Sequence, residues 1–261
     1  MATPFRFRHR AHAGKQLAAA LSRYAGRPDA LVLALPRGGV PVGFVVAQAL
    51  GLELDILIVR KLGLPRHEEF AMGALASAGV RVLNQTAIDG FHVPPEVLEA
   101  VCARELHEIE RRELAYRGRR PPLDLHGRTV LLVDDGLATG STMRAAVQAA
   151  RLLGAAWVVA AIPVGAPDSC EQLAPETDDL VCVSQPLGFR SVSQWYAEFP
   201  QTSDEEVREL LARAWGAEED ETSPETRTST HDTKNNDTKN NDTQNNDTKN
   251  IHQGGNHAHR L

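Results

Sequence analysis

The stretch VLLVDDGLATGST, residues 130–142, sets four apolar residues against two adjacent aspartates and then a run of Gly, Ala, Thr and Ser. An unbroken apolar row of this length, preceded by Thr129, reads as a strand buried on both faces. Gly136 and Gly140 bracket a turn, and Ser141 and Thr142 open a helix expected over 142–153. A strand, a glycine turn and a helix are half of a βαβ unit, so similar units should flank it.

They do. LVLAL (31–35) is another apolar run, and VPVGFVVAQAL (40–50) reads as a helix with Pro41 in its first turn and Gly51 as its stop. LDILIVR (54–60) reads as a strand, and Pro94 and Pro95 open a long helix reaching about Tyr116. A helix at 14–24 comes first; a strand at 157–162, a helix near 169–173 and a strand at 180–183 come last. The expected fold class is α/β, a doubly wound, mostly parallel sheet flanked by helices. In such sheets ligands sit beyond the carboxyl ends of the strands. That puts PRGG (36–39), Arg60 with Lys61, and DDGLATGST (134–142) on one rim.

The rim carries two kinds of chemistry. A helix N-terminus offers unpaired N–H groups and partial positive charge, so Ala138, Thr139, Gly140, Ser141 and Thr142 suit a phosphate monoester. The loop lacks the lysine and the spacing of a Walker A motif. Ionised Asp134 and Asp135 would repel that phosphate, but carboxylates accept well from sugar hydroxyls. Acids followed by a phosphate cradle therefore match a ribose 5-phosphate. Their side chains should diverge, as neighbours on an extended chain do, rather than share a proton. Arg37, Gly38 and Gly39, with Arg60 and Lys61, would suit a second, heavily charged group such as a diphosphate.

The thirteen residues resemble the PRPP-binding motif of the type I phosphoribosyltransferases, and PRGG and the Arg-Lys pair resemble that family's pyrophosphate-binding elements. The resemblance spans about 5–214 and implies the family's fold, with a small hood. It further implies that Asp134 and Asp135 hold the ribose hydroxyls, that 138–142 hold the 5-phosphate, and that Arg37, Gly38 and Gly39 form the pyrophosphate loop with Arg60 and Lys61 assisting. The reaction it implies is displacement of pyrophosphate from PRPP by a nitrogenous acceptor, a nucleobase or an amine. Mg²⁺ is the implied cofactor, bridging oxygens of PRPP, and no protein ligand to it is assigned. A mobile loop is expected over 62–80, where His67, Glu68 and Glu69 are candidate proton carriers. The hood is sought in PLGFRSVSQWYAEFPQTS (186–203), whose Phe189, Trp195, Tyr196 and Phe199 either stack an acceptor or pack against the sheet. A PRPP- or nucleotide-sensing regulator without turnover is the alternative, and no helix-turn-helix or basic face speaks for it.

The formal charge of −6 gives no general attraction to nucleic acid. No apolar run approaches the roughly 18 residues that span a bilayer. Cys102, Cys170 and Cys182 form no C-x-x-C pair, which suits a reducing cytoplasm. A homodimer is a further expectation from the resemblance. Beyond Glu218 the chain becomes HDTKNNDTKNNDTQNNDTKN, a five-residue repeat almost devoid of apolar side chains. Residues 218–261 are therefore expected to form a disordered tail. Deleting 218–261 is expected to shift the melting temperature by less than about 2 °C; a larger fall would show that the tail packs on the domain.

Overall fold

The structure, a computed structural model, describes residues 6–64 and 67–216, with backbone alone for 67–70. The expected tail at 218–261 lies outside the described residues.

Apolar runs become two sheets. β1 (Ala30–Ala34), β2 (Glu53–Ile56), β6 (Thr129–Val133), β7 (Trp157–Val164) and β8 (Asp179–Ser184) lie side by side, all parallel, in the order β2-β1-β6-β7-β8. β3 (Val59–Leu64), β4 (His67–Ala76) and β5 (Val80–Leu83) form a smaller antiparallel sheet. Every residue of β1 and β6 is buried. Their successive side chains feed two separate cores, as the two-residue period of a strand requires. Val32, Ala34, Leu131, Val133 and Val159 face one core, and Leu31, Leu33, Val130, Leu132 and Val158 face the other.

The first core takes the apolar stripes of α1 (Arg10–Ala20), α2 (Gly39–Leu50), α4 (Pro95–Arg117) and α7 (Asp204–Ala214). The second takes α5 (Ser141–Leu152) and α6 (Pro167–Leu173); a short α3 (Gln85–Gly90) precedes α4. The sheet is thus covered on both faces, as its continuous apolar strands demand.

Three boundaries differ from the sequence reading, each for a local reason. α1 starts at Arg10 instead of residue 14, because the His9 side chain caps it by accepting from the His12 N–H. Gly14 then sits inside the helix, where a Cβ would come within 2.9 Å of the Val42 carbonyl and of Val45. The segment 54–60 is two strands, because the backbone changes partner: Leu57 N–H donates to Ala34 O at 3.1 Å, whereas Ile58 N–H donates to the Ser77 hydroxyl at 3.0 Å. Arg60 and Lys61 therefore belong to the smaller sheet. The expected loop at 62–80 is mostly strand. Its Gly73 marks a close approach, since a Cβ there would strike the Val82 carbonyl.

α7 carries its own start signal. The Ser203 hydroxyl accepts from Glu206 N–H at 3.0 Å, and Asp204, Glu205 and Glu206 complement the helix dipole. α4 is anchored at its other end by a bidentate ion pair, Arg117 to Asp55 at 2.9 and 3.0 Å, with both side chains about nine-tenths buried. Arg117→Ala is expected to cost about 3–5 kcal/mol in denaturant melts, because it strands the Asp55 charge. Combining Arg117→Met with Asp55→Asn should recover most of that loss; no recovery would mean that the guanidinium acts through packing alone.

Candidate functional site

β1 and β6 are neighbours, but the chain leaves β1 toward one edge of the sheet and β6 toward the other. This reversal opens a crevice at their carboxyl ends, where open α/β sheets bind ligands. PRGG and the two aspartates meet there. Leu35 N–H donates to Val133 O at 2.9 Å, and the turn continues through a cis Pro36–Arg37 peptide into α2. A Cβ on Gly39 would lie 2.5 Å from Val133 O and 3.0 Å from the Asp134 Cα, and one on Gly38 would run into the Asp135 carboxylate. The two glycines are required because the two turns touch.

The aspartates do diverge. Asp134 Oδ1 turns back to accept from the Asp135 N–H at 2.8 Å. Asp135 Oδ2 accepts from Arg10 Nε at 2.9 Å and lies 2.8 Å from its Nη2 in an ion pair. Although no described hydrogen bond joins the two carboxyl groups, they remain electrostatic neighbours. Burial, and then the Asp135 charge, push Asp134 well above the usual carboxylate range. Burial also raises Asp135, and the Arg10 guanidinium pulls it back.

The glycine turn is pinned from below. Leu137 is buried, donates to Val164 O and accepts from Ala166 N–H, both at 2.9 Å, while the Ser169 hydroxyl donates to Ala138 O at 2.6 Å. Gly140 takes the left-handed conformation at φ 73° and starts α5 without a capping side chain. The end of α5 thus meets no acceptor from its own cap, and the hydroxyls of Thr139 and Ser141 converge at 3.1 Å beside it. Ala138, Thr139 and Thr142 are exposed. This arrangement can hold an anion by backbone N–H groups and hydroxyls, and it lies one turn away from the acids.

Residues 7–196 match the family described as phosphoribosyl transferase domain. The chain belongs to the phosphoribosyl transferase family. Two proteins of Mycobacterium tuberculosis, from strains CDC 1551 / Oshkosh and ATCC 25618 / H37Rv, are 46% identical to it over 208 residues. Both are provisionally named phosphoribosyl transferase. The match covers 80% of this chain and 47% of each relative, so the chain spans about half their length. The crystal structure of TT1426 from Thermus thermophilus is 41% identical, with a TM-score of 0.72, over 80% of this chain and 99% of that one.

Other cations of this family member are not all gathered at the crevice. Arg37 stands at its edge, 3.5 Å from Asp204 of α7. Arg60 is engaged by Glu105 of α4 at 2.8 Å, Lys61 is exposed on β3, and no described contact brings either to the acids. The side chains of His67, Glu68 and Glu69 lie outside the described residues. No described helix is long and apolar enough to cross a membrane.

The hood closes over Asp135 in a way the sequence reading missed. The Tyr196 hydroxyl donates to the Asp135 carbonyl at 2.6 Å, and Val192 lies where a Cβ on Gly136 would be, at 2.5 Å. Trp195 and Tyr196 are buried with Phe7, Ala13 and Val164, so they pack rather than stack a ligand. The ring of Phe199 faces the Arg10 guanidinium at 3.8 Å. A cavity of about 360 Å³ opens between Arg10, Arg37, Gly38 and Asp135 on one side and Phe199 and Gln201 on the other. Arg10 lay hidden in FRFRHRAH (5–12), a basic run indistinguishable in sequence from a solvated terminus.

The raised Asp134 has a measurable consequence. A carboxyl that holds its proton more tightly when folded leaves stability highest below the unfolded value of about 3.9, and stability is lost as pH rises toward the folded value. Asp134→Asn keeps the acceptor for Asp135 N–H and removes the charge. It is expected to melt higher than the parent at pH 8, by about 2–4 °C for each kcal/mol relieved, with the gain fading toward pH 4. A melting temperature at pH 8 equal to or below the parent's would refute this.

Proposed function

We propose that the chain transfers the 5-phosphoribosyl group of PRPP to a nitrogenous acceptor, with a nucleobase as the favoured class, and releases pyrophosphate. The observation that carries this reading is the adjacency of three groups at one crevice: two acids, a hydroxyl-rich anion cradle after them, and a glycine turn with Arg37 opposite. A phosphate monoester, vicinal hydroxyls and a diphosphate occur in that order along PRPP.

In this reading the backbone from Ala138 to Gly140 and the hydroxyls of Thr139, Ser141 and Thr142 take the 5-phosphate. Asp134 and Asp135 accept from the ribose hydroxyls. The N–H groups of Gly38 and Gly39, with Arg37, take the pyrophosphate. The acceptor nitrogen attacks C1 while the C1–O bond to pyrophosphate breaks, and the nitrogen's proton departs to a base. Holding both ends of the donor fixes C1 in line, and the turn around Arg37 stabilises charge growing on the leaving group. Arg60 could assist only after parting from Glu105.

Mg²⁺ fits this donor set through oxygen. Among the described residues no group of three or more His, Cys, Asp or Glu side chains is placed to hold a metal. The two aspartates have oxygen atoms outside their described hydrogen bonds, Asp134 Oδ2 and Asp135 Oδ1. In this reading those atoms face the ribose hydroxyls, so a cation would be held through oxygens of PRPP and water, and it would neutralise phosphate charge.

Incubation with PRPP, Mg²⁺ and a panel of purines, pyrimidines and simple amines should give acceptor-dependent pyrophosphate release. PRPP binding without release across the panel would favour a sensor. Asp134→Asn combined with Asp135→Asn should weaken PRPP binding by roughly 10–100-fold, at about 1.5–3 kcal/mol for a charged hydrogen bond, and leave inorganic phosphate within about twofold. Equal loss of both ligands would remove the acids from the ribose.

A further inference from the structure

Arg10 is the first residue of α1, more than a hundred residues from the acids, yet it is 9% exposed and fully engaged at the crevice. Both of its contacts with Asp135 fall on the same oxygen, Oδ2, from Nε at 2.9 Å and Nη2 at 2.8 Å. Its remaining terminal nitrogen, Nη1, donates to Pro200 O at 2.6 Å, and the guanidinium lies over Phe199. Phe199 in turn packs on Tyr196 at 4.8 Å between ring centres, and the Tyr196 hydroxyl reaches the Asp135 carbonyl. The planar fork therefore closes a ring through Asp135, Phe199 and Tyr196 back to Asp135.

On the reading that this site binds PRPP, we infer that Arg10 is a positioning residue of the ribose site: it fixes Asp135 by one oxygen, leaves the other for a hydroxyl, and ties that acid to the hood. A carboxylate held at one oxygen by a charged fork keeps its second oxygen as an oriented acceptor. A lysine could supply the charge but not the planar fork that bonds Asp135 and Pro200 at once while lying over the Phe199 ring. The groups around Asp135 are Arg10 from α1, Asp134 beside it in the chain and the phenol of Tyr196 from the hood, with Arg37 from the turn after β1 lining the same cavity. Burial lifts Asp135 and Asp134 lies beside it, so Arg10 is the partner that favours its ionised form.

Three variants separate this role from general support of the fold. Arg10→Met should raise the titration midpoint of Asp135, read by ¹³C carboxyl NMR. It should also weaken PRPP binding about tenfold, while inorganic phosphate affinity changes less than about twofold. Arg10→Lys should restore the titration of Asp135 and only part of the PRPP affinity. Phe199→Leu, which removes the ring shared by Arg10 and Tyr196, should lower PRPP affinity by about threefold and leave phosphate binding unchanged. Parental titration of Asp135 in Arg10→Met, with parental PRPP affinity, would overturn the inference. If Arg10→Met does not fold, parental PRPP affinity in both Arg10→Lys and Phe199→Leu would overturn it equally. Should the parent itself fail to bind PRPP, the proposed function falls, and the carboxyl titration still decides whether Arg10 governs Asp135.

Discussion

Two carboxyl groups adjacent in sequence at the end of a buried strand are the constraint from which the rest of the rim follows. Each is partly withdrawn from water, and the Asp135 charge disfavours ionisation of Asp134. The surrounding chain offsets this at several points. Asp134 finds a backbone donor in Asp135, Asp135 finds a guanidinium in Arg10, and the carbonyl of Asp135 finds a phenol in Tyr196. Gly38 and Gly39 are small because the acids need their space. A site whose polar groups are held in place beforehand loses less entropy when a polyhydroxylated ligand binds, which is how an energetically unfavourable cluster persists in a folded chain.

Sheet topology turns this local chemistry into a site. The reversal between β1 and β6 leaves an opening that neither helix layer fills, and the turn after each strand projects into it. The start of α5 and the acids that follow β6 are one short turn apart, so in the proposed reading one molecule can present opposite chemistries to them without conflict. The pinning of Leu137 against β7 keeps that separation fixed.

Much of this was legible in sequence because it is local. The strand, turn and helix at 130–142, the stop at Gly51 and the apolar pattern of the parallel strands all depend on residues within a few positions of one another. Changes of partner were not legible. The apolar run at 54–60 does not say that its first half pairs with β1 and its second half joins β4, and that exchange carries Arg60 away to Glu105. Glycine and alanine between 62 and 80 suggested a loop where a bulged strand stands, since close backbone approach and flexibility call for the same residues. Aromatics in the hood were seen, but the division of labour among them, Tyr196 to the Asp135 carbonyl and Phe199 to Arg10, depends on α1 arriving from the far end of the chain.

That arrival has a kinetic side. The bond from Arg10 to Pro200 spans 190 residues and the one to Asp135 spans 125. Both acids and the glycine turn after them, by contrast, are assembled from neighbouring strands and turns. Contacts of large separation bear the greatest loop-closure entropy and tend to form late. A chain still emerging during synthesis has the acids and the glycine turn once α5 and β7 are made, but not Phe199 and Pro200, which complete the setting of the arginine. The pocket is thus closed by the first helix and the last turns of the described chain together, and its completion coincides with completion of the fold.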